Sequence, residues 1–129
     1  MTVVVGFIPD QYGEAALEAG LEEAARRGTD LVVVNATRGD ALVDKRYVGK
    51  AGLAALEERL AGGDVPASVR QAMGPDVAGE MVRVVEETDA EVLVIGMRHR
   101  SPVGKLIMGS VAQQVLLEAP CWVLAVKPR

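Results

Sequence analysis

The feature that most constrains the fold is a regular alternation of short apolar runs with longer segments of helical period. Three of the runs, Val3–Ile8, Leu31–Asn35 and Glu91–Gly96, are rich in β-branched residues. A continuous run of this kind predicts a strand that is buried on both faces. The chain contains 21 valines, and only 3% of its residues are aromatic. The core is therefore expected to consist mainly of small and β-branched side chains.

The segments between the runs carry helix signals, and two weaker runs complete the pattern. Apolar residues recur at helical spacing, and glycines stand where helices are expected to end. Helices are predicted over about Glu14–Arg27, around Leu53–Leu60, from Asp76 onwards, and over about Ser110–Glu118. Pro66–Gln71 predicts a shorter strand near a sheet edge, because proline cannot donate to a ladder. Cys121–Val126 predicts a fifth strand.

Five strands alternating with four helices predict an α/β fold. Such alternation favours a mostly parallel sheet with helices on both faces. Right-handed crossovers then favour a doubly wound sheet with the strand order 3-2-1-4-5. The length of 129 residues predicts one domain, spanning residues 1–129.

In a doubly wound sheet, ligands bind at the carboxyl ends of the strands where the winding direction reverses. Here that switch point lies between the first and fourth strands, so the loops after Ile8 and Ile95 are the candidate binding loops. The second loop starts at Gly96 and leads to Gly109 and Ser110 at the start of a helix. A helix N-terminus offers free amides and a positive dipole end, which suit a phosphate.

The charge pattern supports an anion site in the same place. No Asp or Glu occurs from Val92 to Leu117, whereas Arg98, Arg100 and Lys105 are basic, on a chain with a net charge of −4. A second interpretation stays open, in which a solvated basic loop simply precedes a capped helix.

Composition argues against several other classes of protein. The acidic balance argues against a nucleic-acid binder. A single cysteine excludes a disulfide scaffold, and one Cys with one His cannot supply a structural zinc site. The longest apolar runs are too short to cross a membrane, and the N-terminus is a poor signal peptide. We expect a cytoplasmic domain with no metal site, no catalytic residues, and no nucleic-acid or membrane partner.

The chain resembles the universal stress protein family over essentially its whole length. The family's phosphate loop reads Gly, two residues, Gly, nine residues, Gly, then Ser or Thr. Gly96, Gly109 and Ser110 match this pattern, and His99 replaces the second glycine. The final segment, from Leu116 to Val126, is also similar to the family's closing helix and strand.

The resemblance implies an adenine nucleotide alpha hydrolase-like fold that binds ATP or AMP at the switch point, with Mg²⁺ as a companion of ATP. It also implies a homodimer formed through the last strand, Cys121 to Lys127. The binding residues carried over by position are Ile8, Pro9, Asp10, Ala36, Ile95, Gly96, His99, Gly109, Ser110 and Val111. Arg98 and Arg100 join them on electrostatic grounds.

Two positions depart from the family pattern. Ile8 stands where nucleotide-binding members usually carry an aspartate, and His99 adds a side chain in the phosphate loop. We therefore expect a stress-related regulatory module that binds an adenine nucleotide weakly or conditionally. One alternative is a dimeric interaction module of the same fold that binds no nucleotide. Another is a slow ATP hydrolase, although enzymatic activity is not expected, because no base or acidic pair is evident.

Overall fold

The computed structural model describes residues 2–38, 47–97 and 109–129. These residues form five strands and four helices in alternation. In chain order the elements are β1 (Thr2–Gly6), α1 (Gln11–Arg27), β2 (Asp30–Thr37), α2 (Lys50–Ala61), β3 (Ala67–Met73), α3 (Val77–Thr88), β4 (Val92–Gly96), α4 (Ser110–Glu118) and β5 (Trp122–Val126).

The strands form one sheet in the order β3-β2-β1-β4-β5. Every neighbouring pair is parallel, and β1 pairs with β2 on one side and with β4 on the other. The predicted fold class and strand order are therefore confirmed. The chain winds outwards from β1 in both directions, which places the switch point between β1 and β4.

Both faces of the sheet are covered, as the continuous apolar runs predict. Val3 and Val5 of β1 belong to one core cluster and Val4 to the other, because successive side chains of a strand point to opposite faces. Helices α1 and α2 cover the first cluster, and α3 and α4 cover the second. Representative helix residues in these clusters are Leu17, Leu56, Met81 and Val115.

The two edge strands are less buried than the three central ones. β3 alternates between half-buried and exposed residues over most of its length, whereas every residue of β5 is at least partly exposed. Trp122, the first residue of β5, is 81% exposed, so the side chain of this large aromatic residue lies almost wholly outside the core. Cys121 beside it is half-buried, and this burial raises the pKa of its thiol.

Element ends near the first loop differ from the sequence prediction. β1 ends at Gly6 rather than Ile8, and α1 begins at Gln11 rather than near Glu14. The earlier start of α1 is caused by Asp10, whose side chain accepts hydrogen bonds from the amides of Tyr12 and Gly13 and so caps the helix. No helix within the described ranges is both long and apolar enough to span a membrane.

Candidate functional site

A cavity of about 590 Å³ lies at the carboxyl ends of the strands, at the switch point. The ends of β1, β2 and β4 form its base, and the first turns of α1, α3 and α4 contribute to its walls. The lining residues are Gly6, Phe7, Ile8, Asp10, Tyr12, Gly13, Ala36, Thr37, Arg38, Val77, Met81, Ile95, Gly96, Met97, Gly109, Ser110, Val111 and Ala112.

The cavity brings together most of the residues singled out by sequence. Three candidates, Arg98, His99 and Arg100, lie outside the described residues. Of the nine that are described, only Pro9 does not line the cavity. The other eight, which come from four separate stretches of the chain, are Ile8, Asp10, Ala36, Ile95, Gly96, Gly109, Ser110 and Val111.

The N-terminus of α4 opens directly onto this cavity. Gly109 is the N-cap residue, and no side chain caps the helix within the described part of the chain. The first intrahelical hydrogen bond runs from the amide of Gln113 to the carbonyl of Gly109, at 3.0 Å. The amides of Ser110, Val111 and Ala112 therefore have no partner within the helix. All three residues line the cavity, so this helix end presents a positive dipole to it.

The N-terminus of α1 reaches the same cavity but is already occupied. Asp10 Oδ1 accepts hydrogen bonds from the amides of Tyr12 and Gly13, each at 2.9 Å. One carboxylate oxygen of Asp10 thus caps the N-terminus of α1. The three helix starts at the cavity are therefore unequal, because Asp10 caps α1 and Asp76 caps α3, whereas no side chain of the described residues caps α4.

The glycines around the cavity have different structural roles. A Cβ on Gly96 would lie 2.4 Å from the carbonyl oxygen of Tyr12, so this glycine allows α1 to pack closely on the end of β4. A Cβ on Gly109 would meet no atom of the described residues within 4 Å. Room for a ligand at the backbone is therefore found at Gly109, whereas the small size of Gly96 serves packing.

A buried polar network supports the wall of the cavity formed by the loop after β1. Asn35 is fully buried, and its Nδ2 donates to the carbonyl oxygen of Phe7 at 2.9 Å. Its Oδ1 accepts from the amide of Val48 at 2.8 Å and from Gln71 Nε2 at 3.2 Å. Gln71 also donates to the carbonyl of Val48, at 2.6 Å. Asn35 therefore ties the first loop to the segment that enters α2.

Several residues of the site were not identified from the sequence. Tyr12, Thr37, Arg38, Met81 and Met97 all line the cavity. Thr37 and Arg38 directly follow Ala36, so the end of the second strand was the available signal. Met81 belongs to the core cluster covered by α3 and α4 as well as to the cavity wall. In the described ranges, no group of three His, Cys, Asp or Glu residues is placed to hold a metal ion.

The fold is a doubly wound α/β domain of the adenine nucleotide alpha hydrolase-like type, and a cavity lies at its switch point. The Universal stress protein family model matches residues 1–127, and the chain belongs to this family. A universal stress protein from Mycolicibacterium smegmatis is 52% identical over 126 residues, which cover 98% of this chain and 97% of that protein.

Solved structures show the same family resemblance. A universal stress protein from Archaeoglobus fulgidus superposes with a TM-score of 0.80 at 30% identity, covering 98% of each chain. A second structure, of the universal stress protein from Archaeoglobus fulgidus in complex with dAMP, has a TM-score of 0.73 at 24% identity, again over 98% of both chains. At that identity the second match supports the fold of this chain.

Proposed function

We propose that this universal stress protein is a regulatory module that binds an adenine nucleotide, AMP or ATP, in the switch-point cavity. The observation that carries the proposal is the uncapped N-terminus of α4. It opens onto a cavity large enough for a small ligand, and its first amides, which have no partner within the helix, suit a phosphate group. The dAMP bound by the relative from Archaeoglobus fulgidus agrees with this choice of ligand.

The orientation of the nucleotide follows from the asymmetry of the cavity. The phosphate would lie against Gly109, Ser110 and Val111 at the start of α4. The other two helix starts at the cavity, those of α1 and α3, are already capped by the carboxylates of Asp10 and Asp76. The nucleoside would then extend across the end of β1 towards β2. Ile8 lines this path as an apolar side chain, so it supplies no carboxylate to the ribose. Loss of one such hydrogen bond costs about 1–3 kcal/mol, so we expect weak binding.

Nucleotide binding is tested by calorimetry and by thermal unfolding with AMP, with ATP and with ATP plus Mg²⁺. A nucleotide that binds only the native state raises the free energy of unfolding, by about 2.7 kcal/mol at 100 times its Kd. Neither heat nor stabilisation at millimolar ligand would favour the alternative of an interaction module without nucleotide. Release of inorganic phosphate from ATP by the pure protein would favour the hydrolase.

We also propose a homodimer formed through Cys121 to Lys127. β5 is an edge strand, and an exposed apolar edge favours pairing with another chain. Trp122, the first residue of β5, is 81% exposed.

The cytoplasmic location expected from the sequence stays a prediction, which cell fractionation tests.

Replacing Trp122 with glutamate is expected to weaken the dimer. A buried interface tryptophan commonly contributes at least about 2 kcal/mol, so the dissociation constant should rise by at least about thirtyfold. Sedimentation velocity over a range of concentrations measures it. Met73→Glu is the control, because Met73 is 57% exposed on the opposite edge strand and should leave the dimer intact. A wild-type protein that stays monomeric at every concentration contradicts the proposal.

A further inference from the structure

Asn35 places a fully buried amide in the middle of an apolar sheet. Among the described residues, the only other buried polar side chains are those of Thr2 and Thr37. Val33, two positions earlier in β2, belongs to the core cluster under α1 and α2, so the side chain of Asn35 lies on the same face of the sheet. Burying an amide is costly unless it is hydrogen-bonded. The hydrogen bonds of Asn35 therefore fix the positions of its partners.

These hydrogen bonds join three segments that are far apart in the chain. Nδ2 donates to the carbonyl of Phe7 in the loop after β1, at 2.9 Å. Oδ1 accepts from the amide of Val48, which directly precedes the N-cap residue of α2, and from Gln71 Nε2 in β3. Gln71 Nε2 also donates to the carbonyl of Val48, at 2.6 Å. Both backbone groups of Val48 are thus held by the pair Asn35 and Gln71.

One end of this network belongs to the cavity. Phe7 lines the cavity together with its neighbours Gly6 and Ile8. A ligand in the cavity therefore touches the loop whose carbonyl Asn35 holds. By contrast, none of the described residues from 47 to 61 lines the cavity. A ligand can thus act on α2 only through the residues between them.

The other end of the network leads into α2, which has few buried contacts of its own. Of its twelve residues, only Leu56 and Leu60 are buried, and its N-cap residue supplies no side-chain hydrogen bond. Arg59 pairs with Glu14 of α1, but both side chains are about half exposed, and such pairs contribute little. An element with few buried contacts opens at a low free-energy cost. The hold on Val48 is therefore important for the start of α2.

We propose that Asn35 and Gln71 couple occupancy of the cavity to the stability of α2, an inference that rests on the proposed nucleotide binding. A ligand that restrains the loop after β1 restrains the Phe7 carbonyl and, through the Asn35 amide, the backbone of Val48. The start of α2 then opens less often. The exposed face of α2, which lies away from the cavity, is the surface on which the bound ligand changes the behaviour of the protein.

Hydrogen exchange with and without AMP, followed by mass spectrometry of peptides from residues 50–61, tests the coupling. In the wild type, saturating AMP should slow exchange in α2 at least about fivefold, the lower end of the usual coupling between two sites. Gln71→Met removes both hydrogen bonds that Gln71 donates, and this half-buried residue does not line the cavity. The slowing should fall below about twofold in Gln71→Met and in Gln71→Glu, whose carboxylate cannot donate.

A matched control separates the coupling from general loss of stability. Thr2→Val removes the hydrogen bond between Thr2 and Asp30 at the opposite end of the sheet and should keep the wild-type slowing in α2. A ligand also slows exchange by stabilising the whole native state. The proteins are therefore compared at AMP concentrations that calorimetry shows to give equal occupancy.

The outcomes distinguish the coupling from the proposed function. If wild type binds AMP and exchange in α2 does not change, the coupling is wrong while the proposed function stands. Undiminished slowing in Gln71→Met and Gln71→Glu, or an equal loss of slowing in Thr2→Val, also overturns the coupling. If wild type binds no nucleotide at all, the coupling and the proposed function fall together.

Discussion

Replacing Gly13 with alanine is expected to lower the free energy of unfolding by about 3 kcal/mol or more, or to prevent folding. A Cβ at this position would lie 1.7 Å from the carbonyl oxygen of Ile8 and 2.7 Å from its amide nitrogen. Both atoms belong to the backbone, so no side chain can move aside, and overpacking of this kind commonly costs about 1–3 kcal/mol even where side chains can yield. Urea denaturation followed by circular dichroism measures the loss.

Gly52 provides a matched control for this substitution. Gly13 is the third residue of α1, and Gly52 is the third residue of α2. A Cβ on Gly52 would meet only the side chain of Val48, at 3.0 Å. Gly52→Ala should therefore be neutral or stabilising by up to about 1 kcal/mol, as for glycine in a helix. If Gly13→Ala were as stable as Gly52→Ala, the close approach of α1 to the first loop would be wrong.

Replacing Gly109 with aspartate is expected to stabilise the protein and to abolish nucleotide binding. The new carboxylate would cap α4 as Asp10 caps α1, which contributes about 0.5–1 kcal/mol. A Cβ here meets no atom of the described residues within 4 Å, so the side chain has room. The same carboxylate would occupy the free amides and repel a phosphate, so the Kd for AMP should rise at least about a hundredfold, equivalent to about 2.7 kcal/mol.

Gly109→Asn separates the charge from the cap. Asparagine caps a helix about as well as aspartate but carries no charge. It should raise the unfolding temperature to a similar degree while weakening AMP binding less than the aspartate does. Thermal unfolding and calorimetry on the two variants make the comparison. Unchanged AMP binding in Gly109→Asp would place the phosphate elsewhere and contradict the proposed orientation.

The sheet order could be predicted because it depends on local patterns. Continuous apolar runs such as Leu31–Asn35 predict strands that are buried on both faces of the sheet. The helical segments between them predict crossover connections between parallel strands. Crossovers are right-handed, so few topologies remain. The topology in turn placed the loops after the first and fourth strands at one end of the sheet, which is why Ile8, Ile95 and Gly109 were identified without coordinates.

The roles of individual residues at the cavity could not be predicted in the same way. Asp10 was a candidate for ligand contact, but its Oδ1 accepts the amides of Tyr12 and Gly13. Gly96 was predicted to be a binding residue and does line the cavity, but its lack of a side chain makes room for the carbonyl of Tyr12. The role of Gly96 depends on how closely α1 approaches the sheet, a distance that no local pattern encodes, whereas the cap by Asp10 is a local contact whose helix start was predicted about three residues too late.

The sequence by itself determined the fold class, the strand order and the end of the sheet that carries the cavity, because periodicity and chain handedness are local properties. The family was indicated by the resemblance of the Gly96–Ser110 loop and of the closing segment to the family pattern. Only the tertiary structure showed that α4 is uncapped while α1 is capped, and that Thr37 and Arg38 reach the cavity without protein partners in the described ranges. The cap of α1 is a local contact of Asp10, but its place beside the start of α4 and the end of β2 arises from the packing of segments far apart in the chain. Hydrogen bonding and steric fit there decide which polar groups are satisfied and which stay available to a ligand.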